Sequence, residues 1–377
     1  MKMRTFGKLG IEVSAFGVGC MRFPMIEKNG ERVVDEDRAI AMLRTAIDNG
    51  VTYVDTAYGY LGGQSEVVVG KALQDGYRDK VNLATKLPCW LVKESADMEK
   101  LLQTQLGRLQ TDHLDFYLLH ALNAERWEQM KAFGAREFLT ELKKKGVIKY
   151  ACFSFHDSFD AFKKILDEYD WDMCQVQYNF MDVENQAGTK GVEYAGSKGI
   201  PVVIMEGLLG GKLANAPENV QALYDSYPVK RSPVEWAFRW LCDHPQVGTV
   251  LSGVSDMEQV RDNLRIFDTV EAGCMSDQEK ALIDQVRAAY KSRILVDCTG
   301  CEYCMPCPKN VNIPKTFSIW NNASLYGGLE KGNADYKRMV GEGNDPAACV
   351  ECGKCMSNCP QHIKIPDMLK KARAALE

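Results

Sequence analysis

The chain has 377 residues, 46% hydrophobic and 26% charged, with 51 acids against 46 Lys and Arg for a formal net charge of −5. That length suits two or three domains with an ordinary buried core, and an acidic chain without a concentrated basic stripe argues against a nucleic-acid surface. No run nears the ~18 apolar residues of a membrane span, and the opening Met1-Lys-Met-Arg-Thr-Phe-Gly-Lys reaches glycine and polar residues too soon for a signal-peptide core, so a cytoplasmic protein is expected.

Short apolar, β-branched runs recur at 13–20, 51–57, 81–87, 114–120, 148–154, 173–179, 200–206 and 247–253. Each has strand length, and each is followed by a longer segment with helical spacing or charge, such as 36–48, 98–109, 125–145 and 277–290. Gly50, Gly146 and Gly199 sit just before strands, where a helix C-cap glycine belongs. Eight such alternations over residues 1–290 predict an α/β chain whose first domain is a (β/α)8 TIM barrel. An open doubly wound sheet is the competitor, disfavoured because no G-x-G-x-x-G follows a strand and opens a helix.

A barrel of this kind builds its active site at the C-terminal ends of its strands. In order, those ends carry Asp55, Lys86, His120, Ser154, Gln175 with Asn179, and Glu206. Singly, each reads as a solvated loop residue or a satisfied core histidine; together, the barrel gathers them into one ring. A tyrosine titrates near 10, so it needs help to act as an acid or base at neutral pH. A neighbouring ammonium stabilises its phenolate, a carboxylate holds that ammonium charged and fixed, and a histidine orients a carbonyl oxygen. Tyr60, just past the second strand, supplies the phenol. Asp55, Tyr60, Lys86 and His120 thus read as one proton-relay constellation facing a carbonyl or alcohol.

At these residues the sequence resembles the aldo/keto reductase family. The matching stretches are Asp55-Thr-Ala-Tyr-Gly-Tyr60, Ala84-Thr-Lys86, Leu114-Asp-Phe-Tyr-Leu-Leu-His120, Gln175-Val-Gln-Tyr-Asn179, Gly207-Leu-Leu-Gly-Gly-Lys-Leu213 and Gly253 through Asn263. Thr5-Phe-Gly-Lys-Leu-Gly-Ile-Glu-Val-Ser14 also looks like the hairpin that closes the bottom of the family's barrel. The resemblance implies an NADPH- or NADH-dependent oxidoreductase acting on small carbonyls or alcohols. Tyr60 would be the general acid, tuned by Lys86 and Asp55, and His120 would orient the substrate oxygen. It also implies that Ser154 and Gln175 hold the nicotinamide carboxamide. Phe155 replaces the asparagine usual beside that serine, and Met205 stands where many relatives stack an aromatic ring. Leu208 lies in a loop expected near the pyrophosphate; Gly253, Ser255, Gln259 and Asn263 belong to the adenosine end, whose only base is Arg261. Gly19, Cys20 and Met21 end the first strand and join the expected cofactor contacts. NADPH over NADH follows the family habit alone.

Fourteen cysteines are present, eight of them between Cys298 and Cys359. A secreted disulfide framework does not suit so long a chain. The spacing is Cys298-x2-Cys301-x2-Cys304-x2-Cys307-Pro308, then Cys349-x2-Cys352-x2-Cys355-x3-Cys359-Pro360. The second run is the bacterial ferredoxin pattern for [4Fe–4S] ligation, in which the cysteine before proline serves the other cluster. The first run is one residue shorter, which makes Cys307 the irregular member. Cys298, Cys301 and Cys304 map onto Cys349, Cys352 and Cys355 with a constant shift of 51, and Cys307, Ile313 and Pro314 onto Cys359, Ile365 and Pro366 with a shift of 52. Residues 291–377 are therefore expected to form a small, mainly helical, ferredoxin-like domain with helices starting at both Ile-Pro pairs and running from Pro314 to about Tyr326. Two clusters are the leading expectation, with one cluster or thiolate-bound zinc as alternatives.

A hydride carries two electrons and a [4Fe–4S] cluster normally one, and nothing in the sequence reads as a flavin site to join them. The barrel is expected to do carbonyl chemistry, while the clusters exchange electrons with a separate redox partner protein or stabilise the fold. The alternative is an electron-transfer or redox-sensing protein whose barrel binds nicotinamide with little turnover.

Overall fold

The computed structural model describes residues 1–377. The strands are β1 (Met3–Thr5), β2 (Glu12–Ser14), β3 (Phe16–Gly19), β4 (Met25–Lys28), β5 (Glu31–Val34), β6 (Tyr53–Asp55), β7 (Asn82–Leu87), β8 (Leu114–Leu122), β9 (Ile148–Phe155), β10 (Met173–Gln177), β11 (Val202–Met205) and β12 (Val247–Ser252). β3 and β6 to β12 close into a barrel in chain order, every neighbouring pair parallel. Each of the eight predicted runs coincides with a barrel strand, the strands Leu114–Leu122 and Ile148–Phe155 extending two and one residues past the runs at 114–120 and 148–154. Their near-continuous burial explains why they read as apolar runs and not as an alternating pattern.

β1 and β2 form the expected antiparallel hairpin, and the turn between them plugs one end of the barrel. Phe6 and Val13 are fully buried there with Tyr53, Phe116, Leu118 and Met173. Phe6 meets Phe116 edge-on at 5.5 Å between ring centres, a favoured aromatic geometry. Burying such a side chain contributes about 2–3 kcal/mol. It also dictates Gly248 on β12, where a Cβ would stand 2.3 Å from Phe6 Cε2.

The chain divides into two compact units, one of residues 1–210 with 235–276, the other of 211–234 with 277–377. Helices connect the barrel strands, and Gly50, Gly146 and Gly199 follow three of them with φ of 90°, 72° and 68°. The segment expected as one helix over 125–145 is two, Ala124–Ala132 and Ala135–Lys145, because Gly134 adopts φ 79° and breaks the hydrogen-bond ladder. The second unit contains Glu218–Ser226, Asp277–Lys291, Ile313–Tyr326, Leu329–Gly341 and Ile365–Leu376. Pro314 and Pro366 each sit in a first helical turn, where the missing N–H costs nothing. Their helices share an apolar core of Val311, Ile313, Phe317, Ile365 and Leu369, against which six of the eight clustered cysteines pack. No helix is long and apolar enough to cross a membrane.

Candidate functional site

Asp55 ends β6, Lys86 lies near the end of β7 and His120 near the end of β8, so parallel pairing of β6, β7 and β8 carries all three to the same rim. Tyr60 opens the tight turn after β6. Lys86 is fully buried. Its Nζ donates to Asp55 Oδ1 at 2.6 Å, to the carbonyl of Thr56 at 2.8 Å and to Tyr60 OH at 3.4 Å. The Tyr60 and His120 rings meet edge-on, 6.0 Å apart.

Burial works against the Lys86 ammonium, but Asp55 and Tyr60 outweigh it and hold its pKa above the ordinary value. At Asp55, burial raises the pKa and Lys86 opposes it. Tyr60 departs from the sequence expectation. Burial pushes its phenol up more than Lys86 draws it down, so the hydroxyl stays protonated and is suited to giving a proton. His120 is pushed down to about 3 by burial, helped by the charges of Lys86, His156 and Arg126. An imidazole that stays neutral when folded but protonates near 6.5 when unfolded leaves the unfolded chain binding the extra proton. The stability it contributes above pH 6.5 is therefore lost as the pH falls toward 3, by at most about 1.4 kcal/mol per unit. Denaturant unfolding of wild type and His120→Gln between pH 7 and 5 should differ by that slope; parallel pH profiles would contradict a neutral buried imidazole.

A second buried network stands behind the first. Glu66, fully buried, accepts from Thr85 Oγ1 and Gln105 Nε2, both at 2.7 Å, and pairs with Arg108 at 3.2 Å. Gln105 Nε2 also reaches the Lys86 carbonyl at 3.0 Å, and Arg108 the Tyr58 carbonyl at 3.1 Å. The backbone of Lys86 and the turn bearing Tyr60 are thereby tied to one carboxylate. Glu66 lies in the first turn of the helix Gln64–Ala72, where an acidic residue is ordinary, so the sequence offers no signal for this role.

Ser154 and Gln175 stand opposite each other in the β9–β10 register. Ser154 Oγ accepts from Ala121 N at 2.8 Å, Gln175 Nε2 faces Met205 Sδ at 3.7 Å, and Gln175 Oε1 is buried without a partner. A buried amide oxygen with nothing to accept from calls for a donor, and a carboxamide N–H2 is one. The residues present therefore fit a nicotinamide at this edge of the ring. Gly19 pairs with Asp55 across β3 and β6, at the same rim. Cys20 is buried with its carbonyl taken by Ser65 Oγ, whereas Met21 is 52% exposed. Leu208 is half-buried in the turn after β11, and Gly253 is exposed after β12. Asn263 Nδ2 donates to Ser252 Oγ at 3.0 Å, while Ser255 and Gln259 bond to each other at the start of the helix Met257–Phe267. The sequence reading missed Arg22. Its stem packs over Gly253, where a Cβ would come within 3.2 Å of Arg22 Cδ, and its Nη2 lies 3.4 Å from the Cβ position of Gly210. It thus adds a second base to a region that had offered only Arg261.

In the second unit the cysteines line two cavities. One is bounded by Cys349, Cys352 and Cys355 with Cys304 and Cys307; the other by Cys298, Cys301 and Cys304 with Cys359. Each three-cysteine loop therefore faces the fourth cysteine of the other run, and Cys307 takes its place despite the shortened spacing. Thiolates spread around a cavity suit the corners of a cubane. A single zinc would need four thiolates gathered within about 2.3 Å of one point.

Comparison with known proteins agrees with both halves. The family model described as "Aldo/keto reductase family" matches residues 16–288, and that of the "4Fe-4S dicluster domain" matches 297–363. An uncharacterized oxidoreductase of Bacillus subtilis (strain 168), YqkF, is 29% identical over 297 residues, covering 70% of this chain and 90% of that protein. Among solved structures, the holo form of an aldo-keto reductase from Bacillus halodurans superposes with a TM-score of 0.64 at 26% identity, covering 76% of this chain and 96% of that one. An aldo-keto reductase from Klebsiella pneumoniae in complex with NADPH gives a TM-score of 0.59 at 25% identity, again covering 76% and 96%.

Proposed function

The chain belongs to the aldo/keto reductase family of oxidoreductases and carries a 4Fe-4S dicluster domain, and from that premise we propose that it reduces a small carbonyl compound, or oxidises the corresponding alcohol, with NADPH or NADH. The observation that carries this reading is the Lys86 ammonium, buried and shared between Asp55 and Tyr60.

Tyr60 donates its phenolic proton to the substrate oxygen, and the phenolate left behind is stabilised by Lys86, which Asp55 keeps charged. His120, neutral and edge-on to Tyr60, orients the carbonyl oxygen. Ser154 and Gln175 would hold the nicotinamide carboxamide, with Met205 beside the ring and Gly19, Cys20 and Met21 along the rim. Leu208, Gly253, Ser255, Gln259 and Asn263 would follow the rest of the dinucleotide, with Arg22 as a further base. When bound, the cofactor supplies the hydride that, with the Tyr60 proton, completes the alcohol.

In the second unit, Cys298, Cys301, Cys304 and Cys359 would hold one [4Fe–4S] cluster and Cys349, Cys352, Cys355 and Cys307 the other. Loaded clusters of this kind pass single electrons. Cys301 and Cys352 are exposed, as are Tyr303 and Val350 beside them, which favours exchange with a redox partner protein over a purely structural use. Anaerobic protein should contain about eight iron per chain and oxidise NADPH or NADH when aldehydes are added. Cys307→Ala should lose about half of that iron. Iron without aldehyde-dependent turnover would leave the electron-transfer alternative, and zinc in place of iron would overturn the cluster assignment.

A further inference from the structure

Beside His120 the barrel rim carries a cation that no carboxylate of the chain neutralises. Arg126 stands in the first turn of the helix Ala124–Ala132, where its backbone N–H is accepted by the cap residue Asn123. Its Nη1 donates to the carbonyl of Ala121, the residue after His120. Its guanidinium carbon lies 5.9 Å from the centre of the Trp90 ring, and that ring lies 5.0 Å from the His120 imidazole. Trp90 is 47% exposed, an aromatic surface left open directly against the half-buried imidazole of His120. A guanidinium has five N–H donors, and the Ala121 carbonyl is the one acceptor this side chain meets.

The loop that presents Arg126 is held in place. Ala121 adopts φ 54°, a conformation costly for a residue with a Cβ. Two contacts keep it there: Ala121 N donates to Ser154 Oγ at 2.8 Å, and its carbonyl accepts from Arg126. A cation fixed in this way has little conformational freedom left to lose on binding.

Resting on the reading of Tyr60 and His120 as the centre that takes the carbonyl oxygen, we propose that Arg126 is a specificity-determining residue that binds the carboxylate of an anionic aldehyde or ketone, whose body lies against Trp90. Successive contacts join Tyr60 to His120, His120 to Trp90 and Trp90 to Arg126. A substrate with its carbonyl at Tyr60 and His120 would lay an apolar body on Trp90 and present its far end to Arg126. One guanidinium matches one planar carboxylate, which it can grip through two parallel N–H groups. The carboxylate of Asp55 is committed to Lys86, so it does not compete for that charge.

The test compares 4-carboxybenzaldehyde with benzaldehyde, using holoenzyme and NADPH. Wild type should favour the anionic aldehyde in kcat/KM by roughly 10- to 100-fold, the range expected for hydrogen bonds to a charged group. Arg126→Gln should collapse that ratio toward one. Arg126→Lys, which keeps the charge and loses the fork, should retain an intermediate preference. A wild-type enzyme without preference, or a ratio unchanged in Arg126→Gln, overturns the proposal. Calorimetric titration with benzoate separates this inference from the reading beneath it. Benzoate binding that weakens in Arg126→Gln, in a protein that turns over neither aldehyde, upholds the anion site and removes the carbonyl-reductase reading. Rapid turnover with no benzoate binding does the reverse.

Discussion

Tyr60→Phe should lower kcat for NADPH-dependent aldehyde reduction by roughly 10²- to 10⁴-fold, the usual contribution of a positioned general acid, while NADPH affinity measured by fluorescence changes little. The substitution removes one oxygen. Lys86 keeps its shorter bonds to Asp55 and the Thr56 carbonyl, at 2.6 and 2.8 Å, and loses only the 3.4 Å contact to the phenol. The charge balance of the buried pair is therefore kept, and the loss should appear in kcat rather than in folding. Unchanged turnover would remove Tyr60 from the chemistry.

Lys86→Met should be costly in a different way. It leaves the Asp55 carboxylate, 2% exposed, without its counter-ion, and Oδ2 of that carboxylate has no hydrogen-bond partner to begin with. Breaking a buried pair from one side typically costs about 3–5 kcal/mol. The loss should depend on pH. With the ammonium gone, burial alone acts on Asp55 and raises its folded pKa above the unfolded value of about 3.9. Such a group is tolerated while protonated and costs stability as the pH rises through its folded pKa. Denaturant unfolding should therefore show a larger deficit at pH 8 than at pH 5, and Lys86→Met combined with Asp55→Asn should recover much of the stability without recovering turnover. A deficit independent of pH over this range would mean that the folded pKa of Asp55 is not raised, the carboxylate being ionised in the folded and unfolded states alike.

The barrel and its ring of polar residues were legible because each depends on short-range pattern. Asp55, Lys86 and His120 each end or nearly end an apolar run, and parallel pairing alone brings such ends together. What the sequence hid is spatial. Glu66 and Gln105 sit inside helices with ordinary composition, and only packing aims them at Lys86. Arg22 and Arg126 follow no motif, and their positions depend on how loops fold back over Gly253 and Ala121. The direction of the Tyr60 shift was missed for a related reason: a neighbouring ammonium can be read from residue types, but the depth of burial cannot. Two omissions did have local signals. Asn29-Gly30, with φ of 56° and 80°, is the turn of the β4–β5 hairpin, and Gly134 marked the break between two helices.

The cross-facing cysteines bear on how the second unit comes into being as the chain is made. The three-cysteine loop at Cys298–Cys304 leaves the ribosome long before Cys359, the residue that completes its cavity, whereas Cys307 is already waiting when the second loop arrives. The half made first is thus the half finished last. A premature stop or proteolytic cut just after Cys355 would leave all five cysteines of the later cavity in the chain, though not its lining by Asn358, Pro366 and Leu369, and would deprive the earlier cavity of Cys359. The cysteine set of the N-terminal half of the repeat is thus completed only by the C-terminal end of the chain.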